Sequence, residues 1–334
     1  MSSRYDDQAK YDRPRRRTRP RTKDRPSYDD APVGRVVTID RGRYTVLVGD
    51  GADERVVTTM KSRSLGRQAV VVGDEVRVVG DVSGTNDTLA RIAEVQPRRT
   101  VLRRTADDDD PVERVIVANA DQLVVVTSLA DPPPRVGLID RCLVAAFDAG
   151  IDPVVFLTKA DLADPAEMVS LLQPLDVVVV VTRHDEPAGS ALDDVRDQLR
   201  DRTSVLVGHS GVGKSTLVNA LVPDAERTTS HVNAITGRGR HTSTSALALR
   251  LPGGGWIVDT PGIRSFGLAH VQPDNLIRAF GDLQDASMDC PRGCTHAESE
   301  PECALDLAVT AGRVEQARVD SFRRLLQSRD APDY

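Results

Sequence analysis

One short segment, residues 208–216, constrains the fold of this chain more than any other. It reads GHSGVGKST and lies between an apolar run at residues 204–208 and a helix-forming stretch at residues 214–221. The spacing Gly-x4-Gly-Lys-Ser in that context is typical of a P-loop, in which glycines let backbone N–H groups close around phosphate oxygens. The segment therefore predicts a phosphate-binding loop that joins a strand to a helix.

The residue types within this segment predict their chemical roles. Lys214 should reach the β- and γ-phosphates of a nucleotide, and Ser215 should be a ligand of Mg²⁺. We predict that nine residues contact the nucleotide: Gly208, His209, Ser210, Gly211, Val212, Gly213, Lys214, Ser215 and Thr216.

Apolar runs and helical patterns alternate between residues 111 and 268. Strands are predicted at 122–127, 153–158, 176–181, 204–208, 246–251 and 255–258, and helices at 136–149, 165–172, 191–200 and 214–221. Most of the strands are continuous apolar runs, as is typical of a parallel sheet covered by helices on both faces. We predict one doubly wound α/β domain over residues 111–268.

Shorter strands with alternating polarity precede this region. Five are predicted, at residues 35–39, 44–48, 54–59, 75–79 and 88–95. Their number and spacing favour a small β-barrel such as an OB-fold over residues 33–100. Tyr44 is the sole aromatic residue between Val33 and Gln96, so any RNA contact is expected with phosphates rather than stacked bases. The candidate basic residues are Arg35, Arg41, Arg43, Lys61, Arg63 and Arg67; a barrel without RNA contacts is the alternative.

Charge is unevenly distributed along the chain. The net charge is −6, which argues against a chain whose main role is to bind nucleic acid. Residues 1–30, however, hold ten Lys or Arg against six Asp, so the rest of the chain has 34 basic and 44 acidic residues. Residues 1–32 are predicted to be a disordered basic tail, either simply solvated or adding nonspecific RNA affinity. The acidic run at residues 107–110 is predicted to be a solvated linker.

The sequence also bears on the cellular compartment. No apolar run approaches the roughly 18 residues that a membrane-spanning helix needs. The N-terminus opens with charged residues and lacks an apolar signal segment. We therefore expect a cytoplasmic protein with reduced thiols.

A candidate base-recognition motif lies at the end of a predicted strand. Thr158, Lys159, Ala160 and Asp161 resemble the Asn-Lys-x-Asp motif of GTPases, in which the carboxylate accepts hydrogen bonds from guanine N1 and N2 and the lysine stem covers the base. Adenine has no donors at those positions, so Asp161 predicts guanine selectivity. Thr158 departs from the motif because it offers a hydroxyl where the family has an amide.

A second magnesium motif follows the predicted strand 255–258. Asp259-Thr260-Pro261-Gly262 resembles the GTPase segment whose Asp holds Mg²⁺ through water and whose Gly N–H senses the γ-phosphate. Ile263 comes next, where many GTPases have a glutamine that positions the attacking water. We therefore expect slow intrinsic hydrolysis and a water-positioning group from elsewhere.

The polar, glycine-rich residues 237–244 have the composition of a mobile switch loop. Within this loop, Thr242 is the candidate third ligand of Mg²⁺, and His241 is a candidate for orienting water. The alternatives are an ordinary solvated loop and, for His241, packing or RNA contact.

The order of these motifs carries further information. Asp161 precedes Gly208, whereas the P-loop comes first in ordinary GTPases. A barrel precedes these motifs and a Cys/His cluster follows them. Together with residues 118–122 and 240–242, this order resembles the circularly permuted ribosome small subunit-dependent GTPase A family over residues 33–326. The resemblance implies a protein that hydrolyses GTP, binds the small ribosomal subunit and its rRNA late in maturation, and is stimulated by that particle. We also expect a monomer.

The Cys/His cluster comprises Cys290, Cys294, His296 and Cys303. Three thiolates and one imidazole are the ligand set of a closed structural zinc site; a cluster of free thiols is the alternative. The gaps of three and six residues differ by one from the four and five usual in the family. Val314, Phe322, Leu325 and Leu326 are predicted to pack as one helix face, leaving Arg318, Arg323 and Arg324 available to RNA.

Together these features predict a multidomain chain. We expect a tail (1–32), an OB-fold β-barrel (33–100), a circularly permuted α/β P-loop GTPase domain (111–268) and a small helical zinc-binding domain (269–334). GTP is expected to favour the subunit-bound form, and hydrolysis to favour release. A P-loop enzyme that uses ATP and an RNA-binding scaffold with vestigial nucleotide binding are the competing classes.

Overall fold

The computed structural model describes residues 27–85, 88–105, 113–183, 190–222, 246–260, 266, 268 and 271–330. The chain divides into two units, Met1–Asp30 and Ala31–Tyr334. Of the first unit only residues 27–30 are described, so the predicted disordered tail lies almost wholly outside the described residues.

A closed five-stranded barrel opens the second unit. Its strands are β1 (Val33–Asp40), β2 (Arg43–Val48), β3 (Arg55–Lys61), β4 (Glu75–Val79) and β5 (Ala90–Val95). They are ordered β1-β2-β3-β5-β4, and β4 pairs back with β1; β3 and β5 are parallel and the other pairs are antiparallel. Val36, Val46, Val57, Val76 and Ile92 fill the interior with no exposed surface. The predicted five-stranded barrel is confirmed.

A two-stranded antiparallel sheet follows the barrel. It consists of β6 (Val101–Thr105) and β7 (Glu113–Ala118). Leu102 and Val117 bury its inner face, and Val117 also forms a bridge with Val72 of the barrel region. Residues 101–105, in the connector between the barrel and the central sheet, form a strand that was not predicted; the acidic run 107–110, predicted to be a solvated linker, lies outside the described residues.

The central sheet contains six strands. They are β8 (Gln122–Ser128), β9 (Asp152–Thr158), β10 (Val178–Val181), β11 (Thr203–Val207), β12 (Leu247–Arg250) and β13 (Trp256–Asp259), ordered β10-β9-β8-β11-β13-β12. Five are parallel, and β12 runs antiparallel to β13. The accompanying helices are α1 (Val136–Asp148), α2 (Ala166–Leu172), α3 (Ser190–Leu199) and α4 (Lys214–Leu221).

Both faces of this sheet are buried. Leu123 and Val125 of β8 pack in one cluster with α1 and α2, whereas Val124 and Val126 pack in another with α3 and α4. This alternation explains the continuous apolar runs in the sequence, since every side chain of a doubly covered strand faces a helix layer. The predicted doubly wound sheet is present in the described part of the chain.

The barrel is continuous with the outer edge of this sheet. Thr38 of β1 pairs with Leu247 of β12. Arg35 donates from Nη1 to Thr203 Oγ1 over 3.1 Å, and its guanidinium lies 5.3 Å from the ring centre of Trp256. Arg35 was expected among the phosphate-binding residues of the barrel; it is instead engaged at this internal junction.

Four helices complete the described chain. They are α5 (Pro273–Ile277), α6 (Gly281–Ser287), α7 (Ala304–Thr310) and α8 (Gln316–Asp330). Phe322, Leu325 and Leu326 of α8 are buried in the cluster that also contains α1, as the predicted helix face requires. Phe147, Phe280 and Phe322 stack edge to face with ring centres 5.1 and 5.5 Å apart. Among the described helices, none has the length and apolarity needed to cross a bilayer.

Three arginines of α8 hold this region in place. Arg318 Nη1 donates to the Pro174 carbonyl over 2.6 Å; Arg323 pairs with Asp306 through two 2.8 Å bonds; Arg324 Nε donates to Asp140 over 3.0 Å. Their side chains are only 13%, 9% and 26% exposed. The expectation that they are available to RNA was wrong, because a guanidinium that is largely buried must bond to protein groups.

Gly73 of the barrel region lies against Ala118 at the end of β7, and replacing it tests how closely the two backbones approach. Its φ is +89°, its carbonyl accepts from Asn119 Nδ2 over 3.0 Å, and a Cβ placed on it would lie 2.1 Å from the Ala118 carbonyl oxygen. Gly42 has a similar φ of +80° but open space around that position. Gly42→Ala should cost about 1–2 kcal/mol for the left-handed backbone, and Gly73→Ala about 1–3 kcal/mol more for the clash. Urea unfolding of both variants measures the difference; equal losses would contradict the tight approach.

Candidate functional site

The predicted phosphate and guanine loops meet at one edge of the central sheet. β8 pairs with β9 on one side and with β11 on the other, so the chain leaves these strands in opposite directions. Such a topological switch point leaves a crevice at the carboxyl ends of the strands, where doubly wound folds bind ligands. Thr158 ends β9 and Gly208 follows β11, and a cavity of about 840 Å³ lies between the two loops.

The cavity brings together most of the sequence-predicted residues. Those that line it are Thr158, Lys159, Asp161, His209, Ser210, Gly211, Gly213, Lys214, Ser215 and Thr216. Ala160, Gly208 and Val212 lie in the same two loops without lining the cavity. This volume is within the range of small-molecule sites in proteins.

Two positions of the P-loop require glycine for steric reasons. Gly208 has φ +150°, and a Cβ there would lie 2.2 Å from the carbonyl oxygen of Val126 on β8. Gly213 has φ +96° and is the N-cap of α4, so the helix begins at Lys214 with its N-terminus toward the cavity. The Lys214 ammonium donates to the carbonyls of Gly208 and, over 2.9 Å, His209. The loop therefore places a cation and a helix N-terminus together, as an anionic ligand requires.

Thr158 links the two loops. Its Oγ1 donates to the carbonyl of Val212 in the P-loop over 2.7 Å and lies 3.3 Å from the carbonyl oxygen of Thr127, and the residue is 7% exposed. Next to it, Lys159 has a left-handed backbone with φ 62°, and its ammonium donates to the Asp131 carbonyl. The hydroxyl that replaces the amide of the usual motif therefore positions one loop against the other, and Asp161 is left to face the cavity.

Sequence reasoning missed six residues that line the cavity: Leu162, Thr182, Arg183, Leu192, Leu217 and Ala220. Thr182 and Arg183 follow β10, and the Thr182 carbonyl accepts from Ala160 N over 3.1 Å. Their position was a usable signal, because the carboxyl ends of adjacent parallel strands share one edge of the sheet. Leu192 lies in α3 and gave no such signal.

The predicted magnesium carboxylate, Asp259, ends β13. It pairs in register with Leu206 of β11, and the hydroxyl of the following Thr260 donates to the Leu206 carbonyl over 2.9 Å. Burial raises the pKa of Asp259, and the charge of Lys214 and the N–H of Thr260 oppose that shift. A half-buried carboxylate at this position suits a hard cation, which would compensate its charge. His241, Thr242, Gly262 and Ile263 lie outside the described residues, so their roles stay predictions.

The four predicted zinc ligands converge at a second place. Their ligand atoms all lie within 4.8 Å of one another, and His296 Nδ1 is 3.6, 3.6 and 3.8 Å from the sulfurs of Cys290, Cys294 and Cys303. In a tetrahedral zinc site, bond lengths of about 2.3 Å to sulfur and about 2.0–2.1 Å to nitrogen place those ligands about 3.6 Å apart. The distances from the His296 nitrogen to the three sulfurs therefore fit a tetrahedral zinc site.

The surroundings also suit a metal. Burial raises the pKa of Cys290 and, to about 12, that of Cys294, and burial lowers the pKa of His296. A divalent cation reverses the preference for neutral thiols because it binds thiolates. The N–H of Ala304 donates to Cys290 Sγ over 3.3 Å, and Arg323 Nε donates to the His296 carbonyl over 3.0 Å. The cluster is thus tied to the first turn of α7 and to α8.

A P-loop, a guanine-type loop that precedes it in the chain and a half-buried carboxylate at the end of the adjacent strand define a circularly permuted P-loop GTPase. Residues 95–269 match the family model described as RsgA GTPase. The chain belongs to the RsgA GTPase family.

Relatives and solved structures agree with this assignment. Two proteins named small ribosomal subunit biogenesis GTPase RsgA are similar to it. That of Chlorobaculum parvum is 36% identical, and the match covers 89% of this chain and 98% of the relative. That of Pseudomonas aeruginosa is 38% identical, and the match covers 80% of this chain and 78% of the relative. The crystal structure of YloQ, described as a circularly permuted GTPase, matches with a TM-score of 0.64 at 25% identity over 92% of this chain and 98% of that one. The fold of YjeQ from Thermotoga maritima matches with a TM-score of 0.67 at 24% identity over 90% and 99%.

The link between Thr158 and Val212 can be tested with a pair of variants. Thr158→Val keeps the shape of the side chain but leaves the buried Val212 carbonyl without this donor, so GDP affinity should fall about tenfold, the equivalent of about 1–2 kcal/mol. Thr158→Ser keeps the hydroxyl and should bind GDP as the unmodified chain does. Titration with a fluorescent GDP analogue measures both; wild-type affinity in Thr158→Val would show that the hydroxyl does not position the loops.

Proposed function

We propose that this chain is a GTP hydrolase of small ribosomal subunit biogenesis, that its turnover is stimulated by the subunit, and that hydrolysis is coupled to release. The observation that carries the proposal is the convergence of the guanine-type loop and the P-loop on one cavity, with Asp161 and Lys214 both lining it. The name shared by the Chlorobaculum parvum and Pseudomonas aeruginosa relatives supports the choice of partner.

Binding of GTP uses both loops. Asp161 would accept hydrogen bonds from guanine, and the Lys159 stem would cover the base from the loop that Thr158 holds against the P-loop. Backbone N–H groups of residues 208–213 and the Lys214 ammonium would hold the β- and γ-phosphates. The site thereby excludes adenine by its base contacts and fixes the phosphates by its backbone.

Hydrolysis depends on charge compensation and on a positioned water. Ser215, Asp259 and Thr242 would hold Mg²⁺, which neutralises the charge that develops on the phosphate oxygens. Gly262 would sense the γ-phosphate through its N–H. Ile263 has no group to orient water, so His241 or a group of the subunit would do so. This division of labour makes intrinsic turnover slow and gives the partner control of the rate.

The C-terminal region is proposed to contain one structural zinc ion per chain, held by Cys290, Cys294, His296 and Cys303. Support comes from the fit of the distances and from the contacts of α7 and α8 with the cluster. We retain the division into tail (1–32), barrel (33–100), GTPase (111–268) and zinc-binding (269–334) domains. We also assign the barrel to the OB-fold, which its β1-β2-β3-β5-β4 order with a parallel β3–β5 pair supports.

A basic surface of the barrel is proposed to contact rRNA phosphates. Arg43, Met60 and Arg91 occupy directly paired positions on β2, β3 and β5, and all three are exposed. Residues at paired positions point to the same face of a sheet, so the two arginines flank Met60 on one outward face. Arg41, Arg63 and Arg67 are also exposed in the adjoining loops. The protein is proposed to act in the cytoplasm as a monomer of 36.2 kDa, which sedimentation would test.

Zinc binding has a matched control within the chain. Cys290→Ser should lower bound zinc from about one ion per chain to near zero and expose the C-terminal region to proteolysis, because the metal contributes to folding there. Cys142→Ser changes another buried cysteine, outside the cluster, and should keep its zinc. Metal analysis of the purified proteins measures the zinc bound per chain. Full zinc content in Cys290→Ser would refute the assignment of this residue as a ligand.

Hydrolysis of GTP and ATP, each with and without purified small subunits, tests the central proposal. GTP turnover should be slow alone and rise at least about tenfold with subunits, whereas ATP turnover should stay at background. Lys214→Ala should abolish the stimulated turnover. Comparable ATP turnover would favour a different P-loop enzyme, and subunit binding without multiple turnover would favour a scaffold.

Subunit affinity in the same experiment tests release. Affinity should be higher with a nonhydrolysable GTP analogue than with GDP, and equal affinities would refute coupling to release. The double variant Arg43→Glu/Arg91→Glu should weaken binding through the barrel, whereas Arg196→Glu/Arg200→Glu, which changes two exposed arginines near the end of α3, should not.

A further inference from the structure

Helix α1 carries two adjacent buried charges that the proposed chemistry does not use. Asp140 and Arg141 are each 2% exposed, although they lie away from the cavity between the nucleotide loops. Burying charged side chains is costly unless each is paired or hydrogen-bonded, so their contacts identify what they hold.

Arg141 holds two segments that are distant in sequence. Its Nε and Nη2 donate to the carbonyl of Phe266 over 3.1 and 2.7 Å, and its Nη1 donates to the carbonyl of Ser328 in α8 over 3.0 Å. Phe266 is fully buried and Ser328 is 8% exposed. One rigid guanidinium therefore bridges the segment that follows the magnesium carboxylate and the last helix of the chain.

The position of Phe266 in the chain gives this bridge its meaning. Phe266 comes seven residues after Asp259 and four after Gly262, the proposed sensor of the γ-phosphate. On the near side, Thr260 is 3% exposed and fixed to Leu206 of β11. Of the residues that flank Gly262, Thr260 is thus fixed to the sheet, and Phe266 is fixed to α1 and, through Arg141, to α8.

The contact between α1 and α8 has a second part. Arg324 Nε donates to Asp140 Oδ2 over 3.0 Å, whereas Asp140 Oδ1 has no hydrogen-bond partner among the described residues. A buried carboxylate oxygen without a partner weakens the hold of α1 on α8. Displacement of α8 would break the bond from Arg324 to Asp140 and the bond from Arg141 to Ser328, and the second of these belongs to the guanidinium that also holds Phe266.

We propose that Arg141 is a positioning residue that couples the phosphate-sensing segment to α8, so that a partner bound to the C-terminal helices changes the rate of GTP hydrolysis. A shift of α8 would move the Arg141 guanidinium and, with it, Phe266; reciprocally, the nucleotide would alter the seating of α8. This inference rests on the proposed function and names the residue through which the subunit would act.

The chain offers a matched control for this coupling. Arg318 is also an arginine that joins α8 to other elements, through the Pro174 carbonyl, Asp176 and Asp282. Its guanidinium also lies over the ring of Phe280, but among the described residues neither Thr260 nor Phe266 is one of its contacts. Arg318→Gln loosens α8 without touching Phe266. Arg141→Gln removes the charge and shortens the side chain, so both carbonyls lose their donor.

Hydrogen exchange provides a test that needs no ribosomal subunit. In the unmodified chain, exchange in peptides containing Phe266 and Ser328 should differ between the GDP-bound and GTP analogue-bound forms. Arg141→Gln should abolish the nucleotide-dependent difference at Ser328, and Arg318→Gln should retain it. No nucleotide-dependent difference at Ser328 in the unmodified chain, or an undiminished difference in Arg141→Gln, would overturn the proposal.

Turnover provides the second test. With saturating small subunits, kcat of Arg141→Gln should fall at least about tenfold toward its unstimulated value while the Kd for GDP changes less than about threefold, since coupling of this kind is typically worth 5- to 150-fold. Arg318→Gln should keep stimulation within about threefold of the unmodified chain. Equal losses in the two variants would mean that α8 acts only as a structural support.

Folding is checked by circular dichroism and zinc content before these comparisons. If Arg141→Gln does not fold, Arg141→Lys replaces it in the exchange experiment. A single ammonium cannot bond both carbonyls in the geometry of a guanidinium, so this variant should lose about half of the nucleotide-dependent exchange difference or more. An unchanged difference in that variant would overturn the proposal. If the unmodified chain shows no stimulation by subunits, the proposed function fails, and the exchange experiment still decides the role of Arg141.

Discussion

The pairing of β8 with β9 on one side and β11 on the other is the constraint on which the rest of the structure depends. Since all three strands are parallel, their carboxyl ends lie at one edge, and the loops that follow β9 and β11 diverge around a crevice. The guanine-type loop and the P-loop are 50 residues apart in sequence, from Thr158 to Gly208. They meet because strand order, not chain distance, decides which loops are neighbours.

Circular permutation leaves this edge intact and changes where the chain enters and leaves the sheet. The barrel comes before β8 in sequence and joins the β12 edge through Thr38 and the Arg35–Trp256 contact. The C-terminal helices come after β13, downstream of Asp259, the proposed magnesium ligand. A GTPase with the usual order would have neither attachment at these points, so permutation is what allows two additional regions to contact the nucleotide-binding sheet from its ends.

Charged side chains hold these regions together. Arg35, Arg141, Arg318, Arg323 and Arg324 all form hydrogen bonds with protein carbonyls, hydroxyls or carboxylates at the junctions. Each is partly or fully buried, where an arginine is stable only when its donors are satisfied and where its planar fork can hold two acceptors at fixed positions. The arginines that stay exposed for a polyanionic partner are consequently those of the barrel, such as Arg43 and Arg91, whereas Arg318, Arg323 and Arg324 of α8 are engaged within the protein.

Local sequence patterns determined most of the elements and both candidate sites. Alternating polarity predicted the five barrel strands, continuous apolar runs predicted the doubly covered sheet, and the residue types at 158–161, 208–216 and 290–303 indicated the loops and the zinc ligands. The strand predictions succeeded because burial on one or two faces of a strand leaves a periodic pattern, and both candidate sites could be recognised because a P-loop and a metal cluster require particular residues at short spacing.

Only the tertiary structure shows the roles of the residues whose partners are distant in sequence. Nothing local distinguishes Arg324, which binds the buried Asp140 of α1, from an exposed arginine on the same helix, and nothing near Leu102 shows that the connector becomes a strand. The hydroxyl of Thr158 looked like a defect in a base-binding motif until its bond to Val212 placed it between two loops. A sequence records which groups can bond, but which partner satisfies a buried group depends on how distant segments pack, and that is fixed only in the folded chain.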